Sequence, residues 1–119
     1  MNELQEMLLS AFQVEHKEHL EGIRSILAEA EKGGGALSAT DLDEAFRRAH
    51  SLKAAARVCD LSPVETLGQR LEALFSRVRQ GSLPLDQEVI GVIHLVLNSV
   101  ENWATCLADK SPPPDLTPA

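Results

Sequence analysis

Apolar residues recur every three or four positions along most of the chain, which is the period of an α-helix. In the first segment these positions are Leu4, Met7, Leu8, Ala11, Phe12, His19 or Leu20, Ile23, Ile26, Leu27 and Ala30. This pattern predicts one amphipathic helix of about seven or eight turns. The glycines Gly33 to Gly35 should end it, because glycine resists helix formation and readily adopts a left-handed cap conformation.

A second helix is predicted to begin near Thr40 or Asp41, where a short polar side chain can accept hydrogen bonds from free backbone N–H groups. Its buried face is predicted to contain Leu42, Ala45, Phe46, Ala49, Leu52, Ala56 and Cys59. The adjoining face contains Asp43, Arg47, His50, Ala54 and Arg57. We therefore expect His50 at the boundary between these faces, with its backbone on a rigid helix and its ring reaching solvent.

A third helix is predicted to start with Ser62 as the N-cap, Pro63 in the first turn and Glu65 reaching back to the cap. It should run to about Gln80 and stop at Gly81. Its inward positions are Val64, Leu67, Leu71, Leu74 and Val78, with Phe75 beside them.

A fourth helix is predicted to open at Leu83–Asp86 and to present an apolar face from Val89 to Leu107. Ile90, Val92 and Leu95 widen that face, which indicates contacts with two neighbouring helices or an oligomer surface on part of it. Four amphipathic helices with short connections predict an all-α protein, an antiparallel up-down four-helix bundle. We expect residues 1–110 to form this domain. The proline-rich residues 111–119 should be a linker or tail, with a short extra C-terminal helix as the alternative.

Composition narrows the class of protein further. The 119 residues suffice for one domain, and 44 % apolar residues with only 3 % aromatic ones suit packed helices. A net charge of −7 argues against a nucleic-acid partner, since phosphate binding needs clustered cations. We predict a cytoplasmic protein without membrane insertion, because no signal peptide or long apolar run is recognised. Cys59 and Cys106 suggest neither a disulfide framework nor a zinc site.

Four histidines in a predicted bundle raise the question of a metal centre. Di-iron bundles use Glu-x-x-His pairs, and no histidine of this chain has a glutamate three residues before it. His16 and His19 have a spacing that could chelate an ion, but we favour a surface position for both. His94 lies beside the apolar face and is interpreted as a histidine at the edge of the core. We predict no metal site.

Nucleophilic and nucleotide chemistry also lack their usual motifs. Ser51 adjoins His50 in sequence, so their side chains diverge on a helix. No Walker-type phosphate loop and no His-Glu-x-x-His motif is present. What remains is His50 with Lys53 three residues on, in a locally basic stretch with Arg47 and Arg57.

These residues resemble the histidine phosphotransfer (HPt) family, specifically the N-terminal P1 domain of CheA-type chemotaxis kinases. The resemblance rests on His50-Ser51-Leu52-Lys53 with small residues after it, on Leu61–Leu67 and on Leu71-Glu72. It spans Phe12 to about Leu107. The sequence departs from the family pattern at two positions, where Ala54 and Asp60 stand in place of glycines. Ala54 is still small, and an aspartate such as Asp60 tolerates an unusual backbone conformation.

The resemblance implies a role for each residue of the motif. It makes His50 the residue phosphorylated at Nε2, Lys53 a cation that steadies the phosphoryl group, and Glu72 the partner of the His50 Nδ1–H. Glu72 lies one turn after Gly68, where a small residue lets the neighbouring helix approach. The implied partner-binding surface comprises Arg47, His50, Ser51, Lys53, Ala54 and Arg57.

The resemblance also implies the partners. A kinase ATP-binding domain, of the same or another protomer, would phosphorylate His50, and an aspartate of a CheY-like receiver domain would take the group. ATP and magnesium would belong to those partners, with no cofactor bound by this chain. The resemblance thus implies a substrate and relay that is a fragment of a protein histidine kinase. Two alternatives stay open: an HPt module of a hybrid-kinase phosphorelay, and a plain helical interaction or dimerisation domain.

Overall fold

A computed structural model describes residues 3–33 and 37–109 of the chain. These residues form four helices: α1 (Glu3–Lys32), α2 (Ala39–Val58), α3 (Ser62–Arg79) and α4 (Gln87–Asp109). They contain no strand. Each helix packs against two others, in the cyclic order α1, α2, α3, α4 and back to α1. The predicted all-α four-helix bundle is confirmed.

Contacts between helices show that neighbours run antiparallel. Early in α1, the Gln13 side-chain amide donates to the Ala104 carbonyl near the end of α4, at 3.0 Å. Further along α1, Arg24 forms an ion pair with Glu101 at 3.2 Å. Moving forward along α1 therefore means moving back along α4.

The core lies between the four helices and is mainly aliphatic. Its largest fully buried side chains are Phe12, Phe75, Leu20, Ile23, Leu27, Leu52, Leu71, Ile93, Leu97, Val64 and Val100. On α2 the buried residues are Ala45, Ala49, Leu52 and Ala56, as predicted, whereas Leu42, Phe46 and Cys59 are only partly buried. Three alanines in this row let α2 lie close to its neighbours, because a methyl group fills little space.

The start of α2 was predicted one to two residues too late. The helix begins at Ala39, and the Ser38 hydroxyl accepts a hydrogen bond from the Asp41 N–H at 3.1 Å. Ser38 and Asp41 have the spacing of a capping box, a signal that favours Ser38 over Thr40 as the N-cap. α1 ends at Lys32, as the glycines predicted, although Gly34 and Gly35 lie outside the described residues.

The prediction of Ser62 as the N-cap of α3 is wrong. Leu61 occupies the N-cap position, no side chain caps the helix, and Ser62 is the first helical residue. The cause is the preceding turn, in which Asp60 adopts a left-handed conformation with φ of 58°. This turn directs Leu61 into the core, where only 8 % of its surface stays exposed. The predicted tolerance of Asp60 for an unusual backbone conformation is confirmed.

The ends of α3 and α4 agree closely with the sequence pattern. α3 ends at Arg79, and Gly81 follows with φ of 80°. The Asp86 carboxylate accepts from the Val89 N–H at 2.9 Å, so it caps α4. Val92 and Leu95 on α4 are exposed, and the predicted tail 111–119 lies outside the described residues.

The expected surface position of His16 is wrong. Its ring is 2 % exposed and stacks on Phe12, with 5.3 Å between ring centroids. The His16 Nδ1–H donates a hydrogen bond to the Phe12 carbonyl at 3.0 Å, so a carbonyl of its own helix satisfies this ring nitrogen. The helical spacing of apolar residues alone does not distinguish such a buried histidine from a surface one. His19 is partly buried, also against expectation.

Candidate functional site

The site is centred on His50, which lies near the middle of α2. Its neighbours Ala49 and Leu52 are fully buried and hold this part of the helix against the core. The His50 side chain is 60 % exposed. The ring is thus presented to solvent from a rigid backbone, as predicted.

Glu72 reaches the His50 ring from the neighbouring helix α3. Its Oε2 atom lies 2.5 Å from the His50 Nδ1 atom, and its side chain is only 17 % exposed. A carboxylate can only accept a hydrogen bond, so Nδ1 carries the proton and donates it. In an uncharged ring this leaves the lone pair on Nε2, the only nitrogen that can then act as a nucleophile.

Lys53 donates a hydrogen bond to the other oxygen of the same carboxylate. Its Nζ atom donates to Glu72 Oε1 at 2.9 Å, and its side chain is 25 % exposed. Burial acts to raise the pKa of Glu72, but the hydrogen bonds from Lys53 and His50 outweigh it and hold that pKa below its ordinary value. The carboxylate therefore stays ionised and keeps accepting from both donors.

The remaining residues of the predicted partner surface share the exposed face of α2. Arg47, Ser51, Ala54 and Arg57 are all exposed around His50. Arg47 forms an ion pair with Glu44 at 2.9 Å. The structure brings this set together, with Lys53 set deeper than the others.

The described residues give no sign of a metal site or of a membrane-spanning helix. Within residues 3–33 and 37–109, no three histidine, cysteine or acidic side chains are grouped as metal ligands. His94 lies on α4 with its Nε2 atom 3.7 Å from Glu31, at a different place in the bundle. None of the described helices has the length and apolar character needed to cross a membrane.

Comparison with protein-family models shows to which family the chain belongs. The family model of the Hpt domain matches residues 7–103. The chain belongs to the Hpt domain family. Hpt domains have a phosphotransfer role in two-component signalling and pair with kinase and response-regulator partners. A comparison with curated proteins gave no match.

One feature of this Hpt domain was missed in the sequence. The Lys53–Glu72 ion pair gives Lys53 a partner within the domain, whereas the sequence comparison implied only a role toward the phosphoryl group. The antiparallel register of α2 and α3 could have revealed the Lys53–Glu72 ion pair. In two antiparallel helices, a pairing of His50 with Glu72 brings the next turn of α2 beside the preceding turn of α3.

Proposed function

We propose that this chain is the phosphotransfer domain of a CheA-type chemotaxis kinase, with His50 as the phosphorylated residue. The observation that carries the proposal is the Glu72 carboxylate on His50 Nδ1, which leaves Nε2 as the nucleophile. The match of the motif around His50 and Lys53 to that class of kinase favours chemotaxis over other relays.

The proposed reaction has two transfers. In the first, Nε2 attacks the γ-phosphorus of ATP held by the kinase domain, a P–N bond forms and the bond to the ADP oxygen breaks. In the second, an aspartate oxygen of a CheY-like receiver attacks the same phosphorus and the P–N bond breaks. ATP and magnesium are bound by the two partners. The kinase domain belongs to the same or another protomer.

The partner surface follows from the same proposal. Arg47 and Arg57 present positive charge to the acidic pocket of a receiver, while Ser51 and Ala54 are small enough to let it approach His50. Lys53 then steadies the transferring group from beside the ring. Because CheA-type kinases signal in the cytoplasm, the proposal places the domain there.

The test is labelling by a CheA-type kinase domain with ATP that carries a radioactive γ-phosphate. We expect a label on the chain that acid removes and base does not, as for a phosphohistidine. His50→Gln should abolish the label, and His94→Gln, the matched control on α4, should keep it. Persistent labelling of His50→Gln would contradict the assignment of His50.

A second comparison tests the chemotaxis partner. The labelled domain is mixed with a CheY-like receiver or with the receiver of a hybrid kinase, and loss of label is timed. Faster transfer to the CheY-like receiver supports the proposal. Faster transfer to the receiver of the hybrid kinase would support a hybrid-kinase relay instead. If the kinase places no label on the domain in the first step, a plain interaction domain is the remaining alternative.

A further inference from the structure

Gly68 on α3 lies where α2 and α3 come closest beside the site. It is buried, and a Cβ atom added there would lie 3.0 Å from the Cα and Cβ atoms of Lys53 and 3.1 Å from its backbone nitrogen. Real Cβ atoms seldom come closer than this to a neighbour. The atoms met are mostly backbone, so no side-chain rotation can relieve the contact.

The other helical glycines differ in what surrounds them. At Gly22 the atoms nearest to an added Cβ would be those at the end of the Arg48 side chain, which can move aside. At Gly91 it would meet nothing within 4 Å. Among the helical glycines of the described residues, Gly68 is therefore the one at which a methyl group would require movement of one helix relative to another.

The close contact lies one turn away from the reacting ring on both helices. His50 precedes Lys53 by three residues on α2, and Glu72 follows Gly68 by four residues on α3. Because the helices are antiparallel, these two pairs lie at adjacent levels of the same interface. The separation of the backbones at Gly68 therefore controls how far Glu72 must reach to His50.

We infer that Gly68 is a positioning residue for phosphotransfer, which acts by holding Glu72 against His50 Nδ1. The inference rests on the proposed function of His50. The carboxylate makes hydrogen bonds of 2.5 Å to His50 and 2.9 Å to Lys53, and both lengthen when the helices separate. A lengthened bond no longer holds the proton on Nδ1, and a free histidine ring prefers it on Nε2. Nε2 then loses its lone pair.

The experiment compares Gly68→Ala with Gly91→Ala, the same substitution at an open position of α4. Nitrogen-15 NMR of the His50 ring reports which nitrogen carries the proton, and it needs no kinase. We expect Nδ1–H in the wild type and in Gly91→Ala, and a shift towards Nε2–H in Gly68→Ala. Unchanged tautomers in Gly68→Ala would overturn the inference.

Kinetics of labelling complete the test. For Gly68→Ala as kinase substrate we expect kcat about ten-fold lower, since a displaced orienting partner costs a large part of its effect. KM should stay unchanged because the docking face of α2 is intact. A wild-type kcat in Gly68→Ala, or a change in KM alone, would contradict the inference.

Two further measurements separate a failure of this inference from unfolding of the variant and from a failure of the proposed function. If Gly68→Ala unfolds, the double variant with Gly91→Ala is tested in its place, because alanine has a higher helix propensity than glycine and stabilises α4. If the wild type takes no label, the proposed function fails, while the NMR comparison still decides the positioning role of Gly68.

Discussion

At the scale of single residues, one carboxylate serves two donors. Glu72 accepts from His50 on one oxygen and from Lys53 on the other, and its partial burial keeps water from competing for either bond. The orientation of the ring and the ionisation of the carboxylate thus depend on the same three side chains.

On the proposed function of His50, removing this carboxylate should slow phosphorylation without unfolding the domain. For Glu72→Ala we expect a rate about 10- to 100-fold lower, which is the usual effect of losing a partner that orients a histidine. The rate is measured by labelling with the kinase, and circular dichroism checks the helix content. Glu31→Ala is the matched control, because its carboxylate faces His94 instead. A wild-type rate for Glu72→Ala would make Glu72 a structural residue only.

Removing the lysine should change the titration of the carboxylate. In Lys53→Met the hydrogen bond that lowers the pKa of Glu72 is lost while burial still raises it, so the pKa should rise. In the wild type the lowered pKa stabilises the fold above about pH 4.5, the ordinary value, and this stability is lost as pH falls through the folded pKa. Carbon-13 NMR of the Glu72 carboxyl measures the shift. Arg57→Met, on the exposed face, is the control and should leave that titration unchanged.

The roles of these residues differed in how visible they were in the sequence. Glu72 could be paired with His50 only through the family resemblance, because its helix spacing alone places it no nearer than the border of the buried face, where a solvated charge is equally at home. The ion pair of Lys53 with Glu72 was not predicted: the helix register places the two residues within reach, but the family resemblance assigned the charge of Lys53 to the phosphoryl group. The burial of His16 was also missed, since its ring bonds to its own helix and needs no polar partner elsewhere.

At the scale of elements, the turn between α2 and α3 decides how the two helices meet. Asp60 has φ of 58°, and Leu61 then enters the core as the first residue beyond it. The sequence predicted both helices and their faces because periodicity spans many residues. It misplaced the caps of both, because Ser38, Thr40 and Ser62 have similar capping chemistry and the turn conformation chooses among them.

The conformation of Asp60 leads to a prediction about stability. Asp60→Val should destabilise the domain by about 1–2 kcal/mol, because a β-branched residue is strained in the left-handed region. Asp60→Asn is the control and should stay close to the wild type, since asparagine adopts this region readily. Urea unfolding measures both. Equal stability of the valine variant would show that the turn can relax.

At the scale of the whole molecule, two histidines link stability to pH. Burial lowers the pKa of His16, an effect that its hydrogen bond to the Phe12 carbonyl only partly offsets. Burial also lowers the pKa of His19, and the charge of Arg48 adds to it. Both rings are therefore protonated more readily in the unfolded chain than in the folded one.

The free energy of unfolding should consequently fall as pH decreases from 7.5 to 5.5. The contribution of these two histidines to the free energy of unfolding is fully present above their unfolded pKa of about 6.5. Below that pH, protonation of each ring in the unfolded chain can lower the free energy of unfolding by up to about 1.4 kcal/mol per pH unit. His16→Phe keeps the stacking partner of Phe12 but cannot titrate, so its stability should depend less on pH. Urea titrations at several pH values measure the difference. Identical slopes would show that His16 contributes nothing to this dependence.

The arrangement of Glu72 has a consequence for the balance of charge during a transfer. With the His50 ring uncharged, Glu72 and Lys53 cancel, so the three side chains are neutral together. On the proposed function, a phosphoryl group on Nε2 adds about 1.5–2 negative charges near pH 7, to a chain that already carries −7. One ammonium group then faces two anions. The unphosphorylated domain is therefore the electrically balanced form, and the proposed transfer to a receiver relieves the excess negative charge of the phosphorylated one.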